Sequence, residues 1–560
     1  MKFTPPGPGT WELDNSHSPP AATPLFQRLA STTMTESYRD IFAQWGGPLE
    51  TMEVRFVNAK NYRRLVPLVG ASRNAPPPPK PVLWLVTRLH PAFRRRNRDA
   101  LRTLAERPYL AEIDVWLHEE RDEWIAGNRQ LQAIDPAELT NEELAAHVEV
   151  AGAHLTAGWY RHHHLHGADM GPIGDLIAHT NRWQLDPVAV MALLRGASPA
   201  TTEVRVHGHR IADALRDGGV DPATVTTLDD VRGVPAAAEA LDAYLDLFGW
   251  RVMTSYDIEG LTLIEVPSAT CALIRSSSGD RSDVEPATPD PASLRQQVPP
   301  GEHDRFDDLL RDARLAYGVR DDNGPLTAEW PMGLLRRAYL EAGRRLAETN
   351  RLLEAAHVFE LDIDEAAAVL RGATSPTAVE LEGRAQRRAE QATAIAPVLL
   401  GPAVAPPDTS VFPAGIRRTM EIIIAAVSNL EPDPLVERAD LHGLGIGTGR
   451  HRGTARVAID PERALDEMEP GDVLVAPWTA PTYNAILAMA GAVVVQEGAL
   501  LCHAAVMARE LGIPAVVGCK RAMELIGDGD LIEVDAVTGA VTVVERRAAP
   551  TFSRASSGPA

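Results

Sequence analysis

GAVVVQEGALLCHAAVMARELGIPAVVG, residues 491–518, is the stretch that decides the fold of the C-terminal part of this chain. An apolar run that ends near Gln496 predicts a strand, and a loop containing Gly498 follows it. His503 then opens a helix that ends at Gly512, and a further apolar run predicts the next strand. The stretch therefore predicts a strand, a loop, a helix and a second strand, with a histidine at the start of the helix.

A histidine in this position has the chemistry of a phosphoryl carrier. Neutral imidazole is nucleophilic near pH 7, and a helix N-terminus offers free N–H groups and a partial positive charge to an attached phosphate. The small Ala504 lets a phosphate approach the backbone, and Arg509, under two helical turns away, is placed to reach back towards it. A lone histidine at a helix start is also compatible with a polar capping role, and spacing alone leaves both interpretations open.

Short apolar runs alternate with turns around this segment and predict a compact, strand-rich domain over residues 440–546. The predicted strands are residues 455–459, 472–477, 492–496, 515–518, 531–535 and 540–545, with one clear helix at about 502–511.

The segment resembles the swivelling phosphohistidine domain, the mobile domain of phosphoenolpyruvate-utilising enzymes. The family pattern is Gly-Gly, two residues, a small residue, His, Ala-Ala, then Ala-Arg-Glu and Gly-Ile-Pro-Ala-Val, and GALLCHAAVMARELGIPAVVG matches it nearly throughout. HGLGIGTGRHRGTARV, GDVLVAPWTAPTYNAIL and GDGDLIEVDAVTGAVTV are similar to its opening, middle and closing segments. Two departures occur: Ala499 replaces the second glycine, and Leu501 stands where the dikinases have threonine, as it does in rifampicin phosphotransferase.

This resemblance implies a β/β/α sandwich whose histidine is phosphorylated and then swings between two active sites. We therefore predict His503 as the catalytic residue. The predicted phosphate-stabilising residues around it are Arg509, Ala504, Cys502 and Gly498.

The part of the chain before this domain is mostly helical in pattern, which predicts a multidomain α+β protein: a large, mainly α-helical N-terminal region followed by the swivelling domain. We expect an extended segment at 1–25, a substrate-binding or acceptor-binding region at 26–396 with a mobile loop at about 267–301, a linker at 397–439, the phosphohistidine domain at 440–546 and a disordered tail at 547–560.

Two segments of the helical region carry candidate acceptor-binding residues. WYRHHHLHGADMGPIGD contains His162, His163 and His166, and the i, i+4 spacing of His162 and His166 is compatible with zinc, although no HExxH glutamate adjoins them. A polar cavity and a row of partly exposed side chains are the other interpretations, and we assign no metal. GWRVMTSYDIEGLTLIEVP adds Arg251, Asp257 and Glu265, for which structural ion pairing is the alternative to binding. The basic run at 88–98 is explained by a solvated face.

Length, charge and cysteine usage limit the class of protein. The 560 residues exceed what one core usually organises, and the formal charge of −21 disfavours nucleic acid or an anionic membrane as the main partner. Cys271, Cys502 and Cys519 stand too far apart in sequence to suggest a disulfide framework or a zinc ribbon. Because no signal-like or bilayer-spanning run occurs, we expect a cytoplasmic protein.

The donor is expected to lie on another chain. RLLEAAHVFELDIDEAAAVL, residues 351–370, is similar to the segment that precedes the swivelling domain in rifampicin phosphotransferase. The domains of that family follow one another in the order ATP-grasp domain, substrate domain and histidine domain. This chain resembles the last two. Lysine occurs only at positions 2, 60, 80 and 520, no P-loop is present, and too few residues follow the mobile domain for a phosphoenolpyruvate-binding barrel of roughly 250 residues.

We therefore expect ATP and Mg²⁺ to act in a separate ATP-grasp subunit that charges His503, which then phosphorylates a small organic acceptor. A histidine or a carboxylate such as Asp257 would take the acceptor proton. Two alternatives stay open. In the first, phosphorylation activates a substrate for condensation or water loss. In the second, the chain is a regulatory or scaffolding relic whose histidine is never phosphorylated.

Overall fold

The computed structural model describes residues 1–14, 19–70, 78–278, 290–403, 408–429, 441–458, 464, 467–479 and 483–547. The chain forms two compact units. The first, called here the helical unit, comprises residues 1–218, 229–267 and 288–427, and the second, called the carrier unit, comprises residues 219–228, 268–287 and 428–560.

Helices dominate the helical unit. They are α1 (Pro24–Gln44), α2 (Lys80–Leu89), α3 (Pro91–Glu106), α4 (Tyr109–Val115), α5 (Arg121–Gln132), α6 (Asn141–Trp183), α7 (Pro187–Ala192), α8 (Pro199–Asp217), α9 (Leu228–Arg232), α10 (Pro235–Phe248), α11 (Pro267–Ser276), α12 (Pro291–Arg295), α13 (His303–Gly324), α14 (Trp330–Glu348), α15 (Ile363–Leu370), α16 (Ala378–Ala392) and α17 (Ala414–Val427), of which α11 belongs to the carrier unit. Two π-helical segments interrupt this order, Trp116–Glu120 and Pro325–Glu329.

The 43-residue helix α6 is the central element of the helical unit. It begins with a capping box, in which Thr140 Oγ1 accepts from Glu143 N at 3.3 Å and Glu143 Oε2 accepts from Thr140 N at 2.8 Å. Helices α1, α13, α14 and α17 pack against it. Leu144 and Leu155 on α6 are fully buried, and burial stabilises the fold by about 1.5–3 kcal/mol for each side chain of this size.

A small antiparallel sheet completes the helical unit, with the order β2 (Leu49–Val57), β3 (Lys60–Pro67), β1 (Trp11–Leu13), β4 (Leu399–Leu400). Strand β1 pairs with β4, and Trp11 lies opposite Leu400. The buried side chains of Trp11, Tyr62 and Leu400 form the apolar cluster on this sheet. The sheet therefore ties the first residues of the chain to the segment that follows α16.

The carrier unit contains a seven-stranded mixed sheet in the order β11 (Ala540–Glu545), β10 (Leu531–Asp535), β6 (Arg450–Val457), β7 (Val473–Ala476), β8 (Ala492–Val495), β9 (Ala515–Val517), β5 (Leu444–Ile446). Strands β6 to β9 run parallel, whereas β5, β10 and β11 pair antiparallel with their neighbours. The helices α18 (Asn484–Leu487), α19 (His503–Leu511) and α20 (Ala522–Leu525) lie between the strands in sequence. Every residue of β7, β8 and β9 is buried, as expected for parallel strands covered on both faces.

The predicted fold class is confirmed: a large helical region precedes a strand-rich C-terminal domain in a multidomain α+β protein. All six strands predicted in the C-terminal domain are present as β6 to β11, within a few residues of the predicted bounds. The sequence did not predict β5, which has only three residues, or the four-stranded sheet of the helical unit.

Two segments are more ordered than the sequence predicted. The expected mobile loop at 267–301 contains α11 and α12, because the residues around Leu273 are apolar and buried while the polar, proline-rich part falls at 279–289, outside the described residues. The expected linker at 397–439 contains β4 and α17, whose Ile416 and Ile422 are buried. Two parts of it, 404–407 and 430–439, and the tail at 548–560 lie outside the described residues.

Across the described ranges, no helix is both long enough and apolar enough to cross a membrane.

Candidate active site

His503 is the first residue of α19 and follows the loop that leaves β8. The residue before it, Cys502, has an extended backbone with φ −65° and ψ 159°, so the chain turns abruptly into the helix at His503. The helix ends at Gly512, whose φ of +71° forms a left-handed C-cap. The local sequence therefore fixes both ends of α19 and places the imidazole at its N-terminus, half-buried.

A hydrogen bond joins His503 to the loop that follows β7. Nδ1 of His503 lies 3.0 Å from Oγ1 of Thr479. Thr479 stands after the carboxyl end of β7, and the residues before His503 stand after the carboxyl end of β8. Parallel sheets commonly bind ligands at this edge of the strands. The bond fixes the plane of the ring and occupies one of its two nitrogens.

Two further residues meet at the same edge. Glu497 N donates to Pro477 O at 2.8 Å, which ties the loop after β8 to the loop after β7. Lys520, in the loop after β9, forms an ion pair with the Glu497 carboxylate through its Nζ. The sequence alone did not point to Thr479, Glu497 and Lys520 as candidate site residues. The signal that finds them is the convergence of loops that follow neighbouring parallel strands.

The loop between β8 and α19 is tightly packed. Gly498 has φ +135°, and a Cβ added to it would lie 2.7 Å from Cys502 Sγ, so only glycine fits this position without strain. Leu501 N donates to Asn429 O at 2.5 Å. Burial raises the pKa of the Cys502 thiol although backbone N–H groups at the helix start oppose the shift, so this thiol stays protonated beside the histidine. The side chain of Ala504 is buried in the unit.

Arg509 turns back from α19 towards the same loop. Its side chain is 5% exposed, and Nη1 donates to Leu500 O at 2.9 Å. Its Nε and Nη2 are buried, and no hydrogen bond reaches either atom within the described residues. A buried guanidinium with unused donors is energetically costly unless a further acceptor is supplied. Arg509 therefore binds the loop that precedes α19 and keeps two nitrogens without an acceptor among the described residues, while its predicted role in stabilising a phosphate stays a prediction.

The candidate histidines of α6 form a cluster in the helical unit. The ring centroids of His162 and His163 are 4.8 Å apart, and those of His162 and His166 are 4.9 Å apart. Nδ1 of His166 lies 2.9 Å from Asp169 Oδ2, and Nδ1 of His162 contacts Asn323 Oδ1. Within the described ranges, no group of three or more His, Cys, Asp and Glu side chains is arranged to hold a metal ion.

A buried polar centre lies beside these histidines. Trp159 packs on His163, with centroids 5.3 Å apart, and on Tyr256, with centroids 5.9 Å apart. Burial raises the pKa of Glu329 to about 7, and the charge of Arg251 opposes that shift. Trp159 Nε1, Glu329 Oε1 and Arg251 Nε are all buried, and none has a hydrogen-bond partner within the residues that the structure describes.

The backbone around this centre is unusual. Glu329 ends the π-helical segment Pro325–Glu329, and π-helical turns occur frequently at functional sites. A Cβ on Gly158 of α6 would lie 2.0 Å from Thr327 O, so the backbone of this segment leaves no room for a side chain at Gly158. The sequence did not identify Glu329, because only the packing of distant helices buries it.

Asp257 and Glu265 hold other parts of the helical unit together. Asp257 accepts from Thr23 N at 2.8 Å and Thr23 Oγ1 at 2.6 Å, and burial raises its pKa to about 6. Both Glu265 oxygens bind Arg336 at 2.9 Å; burial favours the neutral acid, but this ion pair lowers the pKa of Glu265 overall. The predicted acceptor-binding candidates thus fall into two groups. One group lies at the histidine cluster and the polar centre, and the other, Asp257 and Glu265, binds other parts of the helical unit.

Comparison with known proteins supports the resemblance of the C-terminal domain. Residues 468–539 match the family described as the PEP-utilising enzyme mobile domain. This segment includes His503, Thr479 and the whole of α19. The chain is therefore related to the phosphoenolpyruvate-utilising enzymes through its carrier unit.

Three relatives extend that similarity to different lengths. Rifampicin phosphotransferase of Streptomyces sviceus is 28% identical over 57% of this chain and 36% of the relative. Phosphoenolpyruvate synthase of Aeropyrum pernix is 44% identical over 18% of this chain and 12% of the relative. Chondramide synthase of Chondromyces crocatus is 26% identical over 95% of this chain but only 14% of the relative. The chain thus spans well under half the length of these relatives.

Proposed function

We propose that this chain is a phosphotransferase component in which His503 carries a phosphoryl group to a small organic acceptor. The observation that carries the proposal is the His503 ring, which is held at the N-terminus of α19 by Thr479 at the carboxyl edge of parallel strands. Its relation to the mobile domain of phosphoenolpyruvate-utilising enzymes supports the same function.

The hydrogen bond to Thr479 engages Nδ1 of His503, and we infer that Nε2 is the reactive nitrogen. When Nδ1 of His503 carries the proton and donates to Thr479 Oγ1, the lone pair of the neutral imidazole is on Nε2. Nε2 then attacks the donor phosphorus: the N–P bond forms as the bond from phosphorus to the leaving oxygen breaks, and the leaving group departs with that electron pair. The new phosphoryl charge is met by the helix N-terminus and by the unused nitrogens of Arg509.

We infer that the acceptor binds in the polar centre of the helical unit, where three unpaired buried groups need partners. Arg251 suits an anionic group of the acceptor, and Trp159 Nε1 suits an oxygen. Glu329 is the general base in this proposal, because its pKa near 7 lets it take the proton of the attacking hydroxyl. As the acceptor oxygen bonds to phosphorus, the N–P bond breaks and its electron pair returns to Nε2.

We further propose that an ATP-grasp subunit acting in trans, with its ATP and Mg²⁺, charges His503. The scarcity of lysine supports this, since only four occur and none follows a glycine-rich loop. Lys520, the only one in the carrier unit, is already paired with Glu497. The swivel that takes the phosphohistidine from donor to acceptor is an inference from the family.

The proposal is tested by labelling the protein with radioactive ATP in the presence of an ATP-grasp protein encoded beside it. Acid-labile label on His503 is expected in the wild type and in His442→Ala, a matched control in the same unit, but not in His503→Ala. Phosphoramidate, which phosphorylates reactive histidines without a partner protein, gives a second route to the same label. Failure of both donors to phosphorylate His503, shown by mass spectrometry, contradicts the carrier role.

Two alternatives have distinct outcomes in the same experiment. If phosphorylation only activates a substrate for condensation or water loss, mass spectrometry finds no phosphate in the product, although His503 is labelled and discharged. If the chain is a regulatory or scaffolding relic, His503 is never labelled. The intact HAAVMARELGIP segment, residues 503–514, favours a working carrier over the relic.

A further inference from the structure

A cationic cleft opens in the helical unit, and its lining residues include none of the histidine cluster or the polar centre of that unit. It has a volume of about 540 Å³ and lies where α2, α3 and the residue before α17, Pro413, meet. Three arginines line it, Arg88, Arg94 and Arg98, and no acidic residue does so in the part of the chain that the structure describes. A volume of this size fits a small organic molecule, and the charge of the lining restricts the ligand to an anion.

Two of these arginines lack the partners that arginine usually has in this chain. Arg94 and Arg98 lie one helical turn apart on α3, and both are exposed. Within the described residues neither side chain forms an ion pair or a hydrogen bond, whereas the side chain of Arg102 on the same helix pairs with Asp99 at 3.4 Å. The chain has 76 acidic and 55 basic residues, so carboxylates are plentiful and their absence from this cleft is informative.

Hydrogen bonds within the protein hold part of the cleft lining in place without a ligand. Arg88 Nη1 donates to Val411 O at 2.8 Å, and its guanidinium stacks on the Trp84 ring at 4.0 Å. Thr87 Oγ1 donates to the same carbonyl of Val411 at 2.8 Å. Asn97 Oδ1 accepts from Gly415 N at 3.0 Å, which ties α3 to the start of α17. One arginine is therefore fixed, while Arg94 and Arg98 are able to adjust to a ligand.

We propose that this cleft binds the phosphate group of a small, soluble phosphate ester. Guanidinium groups form paired, charge-assisted hydrogen bonds with phosphate oxygens, and two adjacent arginines match a doubly charged phosphate. Pro91 and Pro413 provide the apolar wall for the organic part of the ligand. The site contains no group suited to phosphoryl transfer and does not involve His503, so its role is binding.

Isothermal titration with pyrophosphate at low ionic strength tests this proposal, because pyrophosphate presents the anionic group alone. Wild-type protein is expected to bind it with a Kd in about the millimolar range or below. Arg94→Gln and Arg98→Gln are each expected to weaken binding about tenfold, and the double variant to abolish it. Both side chains are exposed, so the variants are expected to fold, as checked by circular dichroism.

Arg95→Gln is the matched control, because it removes the same charge from the same helix. Arg95 is exposed and does not line the cleft. The variant should bind pyrophosphate like the wild type, and so should His503→Ala, which separates this site from the carrier. The proposal is overturned by wild-type protein that binds no pyrophosphate at about 10 mM, or by an Arg95→Gln variant that weakens binding as much as Arg94→Gln does.

Discussion

Thr479 Oγ1 lies 3.0 Å from His503 Nδ1, so a side chain from the loop after β7 orients the ring at the start of α19. A threonine hydroxyl can accept a hydrogen bond from Nδ1 or donate one to it; in the proposed mechanism it accepts, so that Nδ1 carries the proton and Nε2 attacks phosphorus. The two residues are 24 positions apart, and the parallel pairing of β7 with β8 brings them together. The reactivity of the histidine therefore depends on the sheet as well as on its own helix.

Replacing Thr479 with valine keeps its shape and removes the hydroxyl. We expect Thr479→Val to slow the formation of phosphohistidine about tenfold, because the ring loses the hydrogen bond that fixes its plane. Thr479→Ser should retain most of the rate. Quench-flow labelling with acid-labile phosphate as the readout measures this. Equal rates for valine and serine would contradict an orienting role, and unchanged thermal midpoints would show that folding is not the cause.

Gly498 is expected to be intolerant of any side chain. Gly498→Ala introduces a Cβ that would lie 2.7 Å from Cys502 Sγ, at a φ of +135°. We expect a loss of about 1–3 kcal/mol in the free energy of unfolding of the carrier unit. Gly449→Ala is the control, since Gly449 has φ +92° with open space around its Cβ and isolates the backbone strain. A smaller loss for Gly498→Ala than for Gly449→Ala, measured by urea unfolding, would refute this argument.

Arg509 is expected to matter more for phosphorylation than for folding. Arg509→Met keeps most of the side-chain volume and loses the bond to Leu500 O, but it also removes a buried charge with two unused nitrogens. These effects oppose each other, so the stability should change by no more than about 1 kcal/mol. The yield of phosphohistidine should fall about tenfold, because the phosphate loses its cationic partner. A large loss of stability with a normal yield would assign Arg509 a purely structural role.

The sequence predicts most of the carrier unit because its signals are local. The valine-rich runs at 473–476 and 492–495 are buried strands, and the pattern from His503 to Gly512 defines a helix with both its ends. The partners of His503 are not local. Thr479 and the pair formed by Glu497 and Lys520 meet only through strand order, which no single segment of sequence specifies.

In the helical unit, by contrast, several elements depend on contacts between segments that are distant in sequence. Strand β4 has two residues and exists because β1, from the other end of the unit, pairs with it. Helix α17 follows a proline-rich stretch, so its apolar face was attributed to a linker. Asp257 and Glu329 are both carboxylates next to apolar residues in sequence. Only the packing distinguishes the one tied to Thr23 from the one left unpaired beside Arg251.

Glu329 should make the stability of the helical unit depend on pH. Its pKa is about 7 in the folded protein because burial disfavours the charged form, against an ordinary value of 4.5. Between these two values the folded state binds more protons than the unfolded state, so the free energy of unfolding falls as pH rises from 4.5 to 7. Above pH 7, the buried and ionised Glu329 lowers the free energy of unfolding by about 3 kcal/mol.

Glu329→Gln removes this titration and isolates its contribution. At pH 8 we expect the variant to be more stable than the wild type by up to about 3 kcal/mol, and at pH 4.5 the two should differ little. Denaturant unfolding at both pH values measures the difference. Glu354→Gln is the control, because it makes the same chemical change at an exposed position of the helical unit. If Glu329→Gln destabilises the protein equally at both pH values, the carboxylate is ionised and paired in the folded state, and it is not the base proposed for the acceptor hydroxyl.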